Sequence, residues 1–484
     1  MGILFDKLTE YSKSDFYPYH MPGHKRRPVG ELPQEWTATD ITEIEGFDNL
    51  HQPEGILKKL QEEAAIAYGA EESFYLVNGS TCGILSAISA TVSFGGELLI
   101  VRNCHKSVYH AAYLRRLTLR YLYPEVVEGF DVCEAITAKQ VKKALEQWPE
   151  VEAVLVVSPT YEGRIADIEA IAGVVHEKGL PLLVDEAHGA HLGFAEGFAQ
   201  NSNRLGADVV IHSLHKTLPS MTQTALLHCN GRLVNRDKIR RFLHIYQSSS
   251  PSYVLMACME EAIRMAKDGK EAFARFLQNW NELLRQLRVC KKIQVLGVCS
   301  EEKGGSCNKT TQDVGKLVLS VKRTGLSGRQ LYDILLNGYH LQPEMACESY
   351  VLAMFTVWDT EEGYERLTQA LLELDKQLAQ AESETDAVYK EDEKTPLEAD
   401  VIPTEPKEAI PLYQAWDAER EWIPLADACD RVAGEFVNLY PPGTPMAVPG
   451  EKLSSERIRM LDKCLNSGLT VQGVDEERRI CVLR

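Results

Sequence analysis

The sequence lacks the features that mark secreted, membrane-spanning and metal-clustered proteins. Its twelve cysteines are scattered singly, and even the closest pair, Cys299 and Cys307, has no CxxC or metal-ligand spacing. No apolar run reaches the ~18 residues that a membrane helix needs. The N-terminal segment MGILFDKLTEYSKSD has neither a basic start nor an apolar run of signal-peptide length. We therefore expect a cytoplasmic protein with reduced thiols, no metal site and no membrane partner.

Basic residues are also scarce relative to acidic ones. Lysine and arginine number 52 against 70 aspartates and glutamates, which gives a formal net charge of −18. A chain this acidic would approach a nucleic acid against its own electrostatic field, so we expect no nucleic-acid partner. The acidity favours a cationic substrate or serves only solubility, and composition alone leaves both interpretations open.

The chain alternates short apolar runs with helical patterns over residues 56–255. Several of these runs are almost continuously apolar, as in strands of a parallel sheet that is buried on both faces. The pattern predicts a doubly wound α/β domain. Its predicted strands lie at 74–77, 98–101, 154–157, 182–185, 209–211 and 225–227.

The remaining segments predict an arm, a smaller domain, a linker and a C-terminal unit. Residues 1–55 are rich in proline, histidine and charge, and predict an N-terminal arm. Residues 256–380 predict a small α+β domain with strands near 316–321 and 350–357 and an amphipathic helix at 361–380. The acidic stretch 381–400 predicts an exposed linker, and 401–484 predict a C-terminal unit with a charged helix.

Two ionisable residues follow predicted strands of the large domain. Lys216 ends VVIHSLHK and Asp185 ends the apolar run LLVD. Open α/β sheets bind ligands at the carboxyl ends of their strands, so both residues are placed at a ligand-binding edge. Burial of an unpaired carboxylate is costly and requires a cationic partner. A protonated pyridine nitrogen is such a partner, whereas the alternative is a structural aspartate that caps the next helix.

Polar groups follow three other strands. Asn78-Gly79-Ser80-Thr81 leads into a helix, whose N-terminal N–H groups and hydroxyls suit an anion such as a phosphate. His105 stands at the start of the next helix, where its ring could stack on a flat cofactor or serve only as a helix-start residue. Thr160 and Tyr161 add hydroxyls to the same edge. Together with Asp185 and Lys216, these groups match pyridoxal 5′-phosphate (PLP).

The motifs that carry these residues resemble those of the bacterial Orn/Lys/Arg decarboxylases. The similarity runs from about residue 15 to 450 and is closest to the short forms of that family. The matching segments are HMPGHK (20–25), NGSTCG (78–83), RNCHKS (102–107), SPTYEG (158–163), VDEAHGAH (184–191), SLHK (213–216) and YPPGTP (440–445).

The resemblance implies a fold and a reaction. The fold is PLP-dependent transferase fold type I, with a mostly parallel seven-stranded large domain and smaller α+β C-terminal domains. The reaction is decarboxylation of arginine, lysine or ornithine to an amine that feeds polyamine metabolism, with arginine slightly favoured. The alternatives are another PLP reaction on this fold, such as transamination, aldol cleavage or desulfuration, and a catalytically silent PLP-binding protein.

The resemblance also implies roles for individual residues. Lys216 forms the Schiff base with the cofactor, Asp185 pairs with the ring nitrogen, His105 stacks on the ring, and His215 or Lys216 protonates the substrate Cα. The expected cofactor-binding residues are Ser80, Thr81, His105, Thr160, Asp185, His188, Ser213, His215, Lys216 and Ser250.

The far end of a basic substrate requires a carboxylate or a cluster of acceptors. The candidates are Asp400, which the resemblance places at a substrate-recognising position, Glu435 and Glu43. The serine run 248–250 and the segment 20–25 lie outside the strand-end motifs and are rich in donors. We therefore expect them to cross a two-fold interface, in a homodimer or higher homo-oligomer with shared active sites.

Overall fold

A computed structural model describes residues 2–31, 33–127, 129–297, 312–385, 408–439 and 444–484. Its helices are α1 (Ile3–Lys13), α2 (Gln34–Ala38), α3 (Ile56–Tyr68), α4 (Gly79–Thr91), α5 (Lys106–Arg115), α6 (Ala138–Gln147), α7 (Ile168–His176), α8 (Leu214–Thr217), α9 (Arg236–Tyr246), α10 (Tyr253–Asp268), α11 (Lys270–Leu287), α12 (Gly328–Tyr339), α13 (Glu361–Thr385), α14 (Leu412–Asp417) and α15 (Ser455–Asn466).

The strands are β1 (Glu72–Leu76), β2 (Glu97–Val101), β3 (Thr118–Leu122), β4 (Val126–Val127), β5 (Val132–Cys133), β6 (Val151–Val157), β7 (Leu182–Asp185), β8 (Val209–Ser213), β9 (Ala225–Cys229), β10 (Gln294–Val295), β11 (Lys316–Ser320), β12 (Met345–Ala346), β13 (Tyr350–Met354), β14 (Arg420–Pro424), β15 (Val437–Leu439), β16 (Thr444–Ala447), β17 (Val471–Gln472) and β18 (Arg479–Leu483). The chain forms two units from separated segments. The first contains 1–99, 137–158 and 167–273, and the second contains 100–136, 159–166 and 274–484.

The main sheet has seven strands in the order β1-β9-β8-β7-β6-β2-β3. Strands β6, β7 and β8 run parallel, whereas β9 pairs antiparallel with both β8 and β1. All residues of β7, β8 and β9 are buried, as their largely apolar sequences predict. The prediction of a mostly parallel α/β sheet is therefore confirmed, and each of the six predicted strands belongs to it.

The second unit contains smaller sheets. Strands β10, β11, β13 and β12 form an antiparallel sheet in that order, which contains the two strands predicted near 316 and 350. The C-terminal part has a three-stranded sheet, β16-β15-β17, and the pair β14-β18. Leu461 and Cys464 of α15 are buried with Val437 and Val482, so the predicted charged helix covers a small core of its own.

Helix α1 and strand β3 are among the elements that were not anticipated from the sequence. Helix α1 lies within the predicted arm, and its Leu4 and Leu8 are buried. The N–H groups of Ile3 and Leu4 donate to the Glu260 carboxylate on α10, at 2.5 and 2.9 Å. Glu260 thus provides acceptors for N–H groups in the first turn of α1, which have no partner within the helix. Strand β3 was missed because TLRYL buries only two of its five residues. Among the described residues, no helix is long and apolar enough to cross a bilayer.

Candidate cofactor site at the carboxyl edge of the sheet

The parallel register brings Asp185 and the start of α8 to one edge of the sheet. Asp185 is the last residue of β7 and pairs with Ile211 of β8. Strand β8 ends at Ser213, and the short helix α8 that follows contains Lys216. The chain therefore leaves two adjacent parallel strands at the same edge, where ligands of open α/β sheets bind.

Lys216 contacts an imidazole that follows Asp185 in the chain. Its Nζ lies 3.1 Å from Nε2 of the buried His188. Burial raises the pKa of the Asp185 carboxyl, and the positive charge of Lys216 acts in the opposite direction. Oδ1 of Asp185 accepts from the Ala187 N–H at 3.2 Å. A buried carboxylate in this setting is suited to a cationic partner.

His215 has a defined tautomer. Its Nδ1 lies 3.0 Å from the carbonyl oxygen of Thr224. A carbonyl oxygen can only accept, so Nδ1 carries a proton and Nε2 of the neutral ring has the lone pair. Burial lowers the pKa of His215, as does the neighbouring Lys216, while the bond to Thr224 has a smaller opposing effect than burial. His215 is thus a neutral base at pH 7.

The start of α4 is the segment predicted to bind a phosphate. Gly79 has a φ of +74°, a backbone conformation that glycine adopts without strain. The Asn78 side chain does not cap the helix, because its Oδ1 instead accepts from the Ser248 N–H at 3.0 Å. Ser213 Oγ donates to Ser80 Oγ at 2.9 Å, which joins the end of β8 to the start of α4. Helix N–H groups with adjacent hydroxyls are suited to a phosphate.

His105 and Thr160 belong to the second unit. Nδ1 of His105 accepts from the Ser107 N–H at 3.2 Å and lies 2.8 Å from Ser107 Oγ, so the ring caps α5. Thr160 Oγ1 accepts from the Arg164 N–H at 3.1 Å. Both side chains are thereby oriented within their own unit, and their cofactor roles remain predictions.

The residues expected to contact the substrate or a partner subunit differ in their exposure and in their hydrogen bonds. Glu435 accepts from Trp416 Nε1, from its neighbour's N–H at Phe436 and from Arg420, each at 2.9 Å. Glu43 and Thr81 are exposed, as is Ser250, whose carbonyl oxygen accepts from Ser248 Oγ at 3.3 Å. Asp400 and residues 440–443 of the YPPGTP motif lie outside the described residues, as does nearly all of the predicted linker.

Sequence reasoning missed polar groups next to the predicted ones. The buried Thr217 Oγ1, one residue after Lys216, has no hydrogen-bond partner in the described part of the chain. Glu186 and His212, each adjacent to a predicted site residue, contact one another at 2.6 Å. The motif DEAH contained a signal for Glu186, but its partner is on another strand and could not be identified from spacing.

Comparison with solved structures defines the class of the fold. The lysine decarboxylase of Francisella novicida is similar with a TM-score of 0.82 at 18% identity, over 100% of this chain and 81% of that chain. A high-resolution structure of SPT with PLP has a TM-score of 0.53 at 15% identity, over 69% of this chain and 81% of that chain. The fold is therefore that of the fold-type-I PLP-dependent enzymes.

The sequence comparisons then define the family. The Orn/Lys/Arg decarboxylase major domain matches residues 3–308, and the C-terminal domain of the same family matches residues 389–468. The arginine decarboxylase of Bacillus subtilis (strain 168) is 32% identical over 483 residues, which cover 98% of this chain and 95% of that protein. The chain belongs to the Orn/Lys/Arg decarboxylase family and is a decarboxylase of a basic amino acid.

Proposed function

We propose that this protein is a PLP-dependent arginine decarboxylase in which Lys216 binds the cofactor. The observation that supports the proposal best is the juxtaposition of Lys216 and His188 at the strand ends that also present Asp185. Arginine is favoured over lysine and ornithine because the B. subtilis relative, similar over nearly its whole length, is named an arginine decarboxylase.

The residues present fit PLP at both of its ends. The buried carboxylate of Asp185 would hold the protonated ring nitrogen, whose charge offsets the cost of burying the carboxylate. The uncapped start of α4, with Ser80 and Ser213, would hold the phosphate. The assignments of His105 to the ring face and Thr160 to the ring hydroxyl are proposals that rest on the family resemblance.

In the mechanism, PLP when bound supplies a ring that accepts the electron pair left at Cα as CO₂ departs. The buried carboxylate of Asp185 would hold a protonated ring nitrogen, and it is the group that would keep that nitrogen charged. His188 accepts from or donates to Nζ of Lys216 and can move a proton at that atom. His215 has an unprotonated Nε2, which would take up a proton and donate it to the substrate Cα if the two come within hydrogen-bond reach.

The assembly and the cellular setting complete the proposal. We infer a homodimer or higher homo-oligomer in which residues 248–250 reach the phosphate of a neighbouring subunit, because Ser249 and Ser250 are exposed. We place the enzyme in the cytoplasm, with an amine product that enters polyamine metabolism. Glu435 and Asp400 remain the proposed contacts for the far end of the substrate.

One assay tests the activity and the substrate together. Purified protein with added PLP is incubated separately with arginine, lysine, ornithine and a panel of neutral and acidic amino acids, and both CO₂ and amine are measured. We expect equimolar CO₂ and amine, with arginine the fastest substrate and no release by Lys216→Ala. Release of CO₂ only from an amino acid without a basic side chain would refute the substrate class, and a keto acid in place of an amine would refute decarboxylation.

A further inference from the structure

Four buried polar side chains form a row across the main sheet, from the end of β7 through β8 and β9 to β1. The row begins at Glu186, the residue directly after Asp185. Glu186 Oε2 lies 2.6 Å from His212 Nε2, and His212 Nδ1 lies 3.0 Å from His228 Nε2. His228 Nδ1 in turn lies 2.6 Å from Ser73 Oγ. These residues follow β7 or belong to β8, β9 and β1, and all four side chains are buried.

The direction of each hydrogen bond follows from the carboxylate at one end. The Ser202 N–H and Oγ–H both donate to Glu186, as suits an ionised carboxylate, and a carboxylate accepts from His212 Nε2–H. Burial lowers the pKa of His212 to about 3 and holds the pKa of His228 well below its usual value, so both rings are neutral. His212 Nδ1 must then accept from His228 Nε2–H, and His228 Nδ1 must accept from the Ser73 hydroxyl. The row has a single consistent order of donors and acceptors.

Glu186 is also held from a second side. The Ser202 Oγ–H donates to Oε1 at 2.6 Å, and the Ser202 N–H lies 3.2 and 3.1 Å from the two carboxylate oxygens. The Tyr68 ring packs against His212 and His228 with centroid separations of 4.7 and 4.8 Å. A buried ionised carboxylate is costly unless its acceptor sites are filled, and these donors fill them.

The Glu186–His212 contact joins the same strand ends that carry the site. The Glu186 N–H donates to the Ile211 carbonyl oxygen at 3.0 Å, and the Ser213 N–H donates to the Ala187 carbonyl oxygen at 3.3 Å. The side-chain bond adds a third connection between the end of β7, which leads from Asp185, and the end of β8, which leads to Lys216.

We propose that Glu186 and His212 are positioning residues that fix the carboxyl ends of β7 and β8, and with them the separation of Asp185 from Lys216. This inference rests on the proposed function, which assigns the cofactor to those two residues. A misplacement of reacting groups by about 1 Å can lower a rate by about 10²-fold, so a bond that sets this separation affects chemistry as well as stability.

The chain offers a matched pair at the opposite ends of the same strands. Asp208, just before β8, accepts from His176 Nε2 at 2.8 Å and from the Leu182 N–H of β7 at 2.8 Å. The chemistry is again a buried carboxylate with an imidazole and an N–H donor, but it joins the amino ends of β7 and β8. A purely structural role predicts the same consequences for both pairs.

The test compares Glu186→Gln with Asp208→Asn. For each variant we would measure the free energy of unfolding in urea and the affinity of the apoenzyme for PLP. We would also measure the visible absorbance of bound PLP, and kcat and KM for arginine. We expect both variants to be less stable. Only Glu186→Gln should bind PLP about tenfold more weakly, change the absorbance band and lower kcat by about tenfold or more, with KM changed less than kcat. Asp208→Asn should keep these properties within about twofold.

Ser202→Ala provides a milder change should Glu186→Gln not fold. It removes one donor to Glu186 and leaves the His212 contact in place, so we expect about threefold weaker PLP binding and an altered absorbance band. If the folded variants at Glu186 or Ser202 match Asp208→Asn in PLP affinity, absorbance and kcat, the positioning role is refuted. Failure of the wild-type protein to bind PLP or to release CO₂ would instead refute the proposed function.

Discussion

The amine of Lys216 lies 3.1 Å from Nε2 of His188, on the segment that begins directly after Asp185. The end of β7 and the residues just after it thus supply a carboxylate and an imidazole near the same lysine, which follows the adjacent parallel strand β8. Both segments leave strands whose residues are all buried, so the lysine and its two neighbours are attached to a closely packed part of the fold.

The Lys216–His188 contact predicts a defect in turnover when the imidazole is removed. His188→Asn should still bind PLP at Lys216, while kcat for arginine falls by about 10²-fold, the lower range for loss of a group that moves a proton. The measurement is steady-state kinetics on the PLP-loaded protein. His244→Asn changes an exposed histidine of α9 and serves as the control. A kcat for His188→Asn within about twofold of the control would contradict this role.

Substitution of Asp185 should lower turnover without preventing PLP from binding. Asp185→Asn keeps the size of the side chain but removes the charge that would hold a protonated ring nitrogen. We expect PLP to remain bound and kcat to fall by at least about 10²-fold, whereas Asp185→Glu should recover part of the activity. Near-normal turnover of Asp185→Asn would show that another acid performs this task.

The positions of Asp185 and Lys216 at strand ends could be predicted from the sequence, because an apolar run precedes each of them. Asp185 and Lys216 could be placed at one edge since parallel strands share a direction. The row from Glu186 to Ser73 could not be predicted, because its members are joined only through the pairing of β7, β8, β9 and β1. The same holds for α1, whose burial depends on Glu260 of a helix more than 200 residues further along.

The buried histidines predict a loss of stability in acid. His212 has a pKa of about 3 in the folded protein, whereas an unfolded histidine has a pKa of about 6.5. Below about pH 6.5 the unfolded chain therefore binds a proton that the folded protein does not. The stability that His212 provides is present above pH 6.5 and is lost as the pH falls towards 3, by up to about 1.4 kcal/mol per pH unit.

Urea unfolding at a series of pH values between 7.5 and 5 measures this effect. His228, whose pKa is also well below its usual value, contributes in the same direction. The variant His228→Gln should therefore show a shallower decrease of the unfolding free energy with falling pH than the wild-type protein. Equal slopes for the two proteins would show that His228 does not titrate as a buried neutral ring.

Shared active sites predict complementation between two inactive chains. One chain carries Lys216→Ala, and the other carries alanine at Ser248, Ser249 and Ser250. A heterodimer of these chains has one site with both the lysine and the serines intact, so we expect the mixture to recover part of the CO₂ release. A mixture that forms heterodimers but stays inactive would place the action of the serines within their own chain.

The attachment of PLP to Lys216 is tested most directly by reducing the protein with borohydride in the presence of PLP, followed by peptide mass spectrometry. Lys316 is the appropriate competitor, since it is a buried lysine of the second unit, with its Nζ 3.5 Å from Met354 Sδ. We predict stoichiometric modification of the peptide that contains Lys216, and none after Lys216→Ala. Modification of Lys316 or of any other lysine in the wild-type protein, with Lys216 unmodified, would contradict the account.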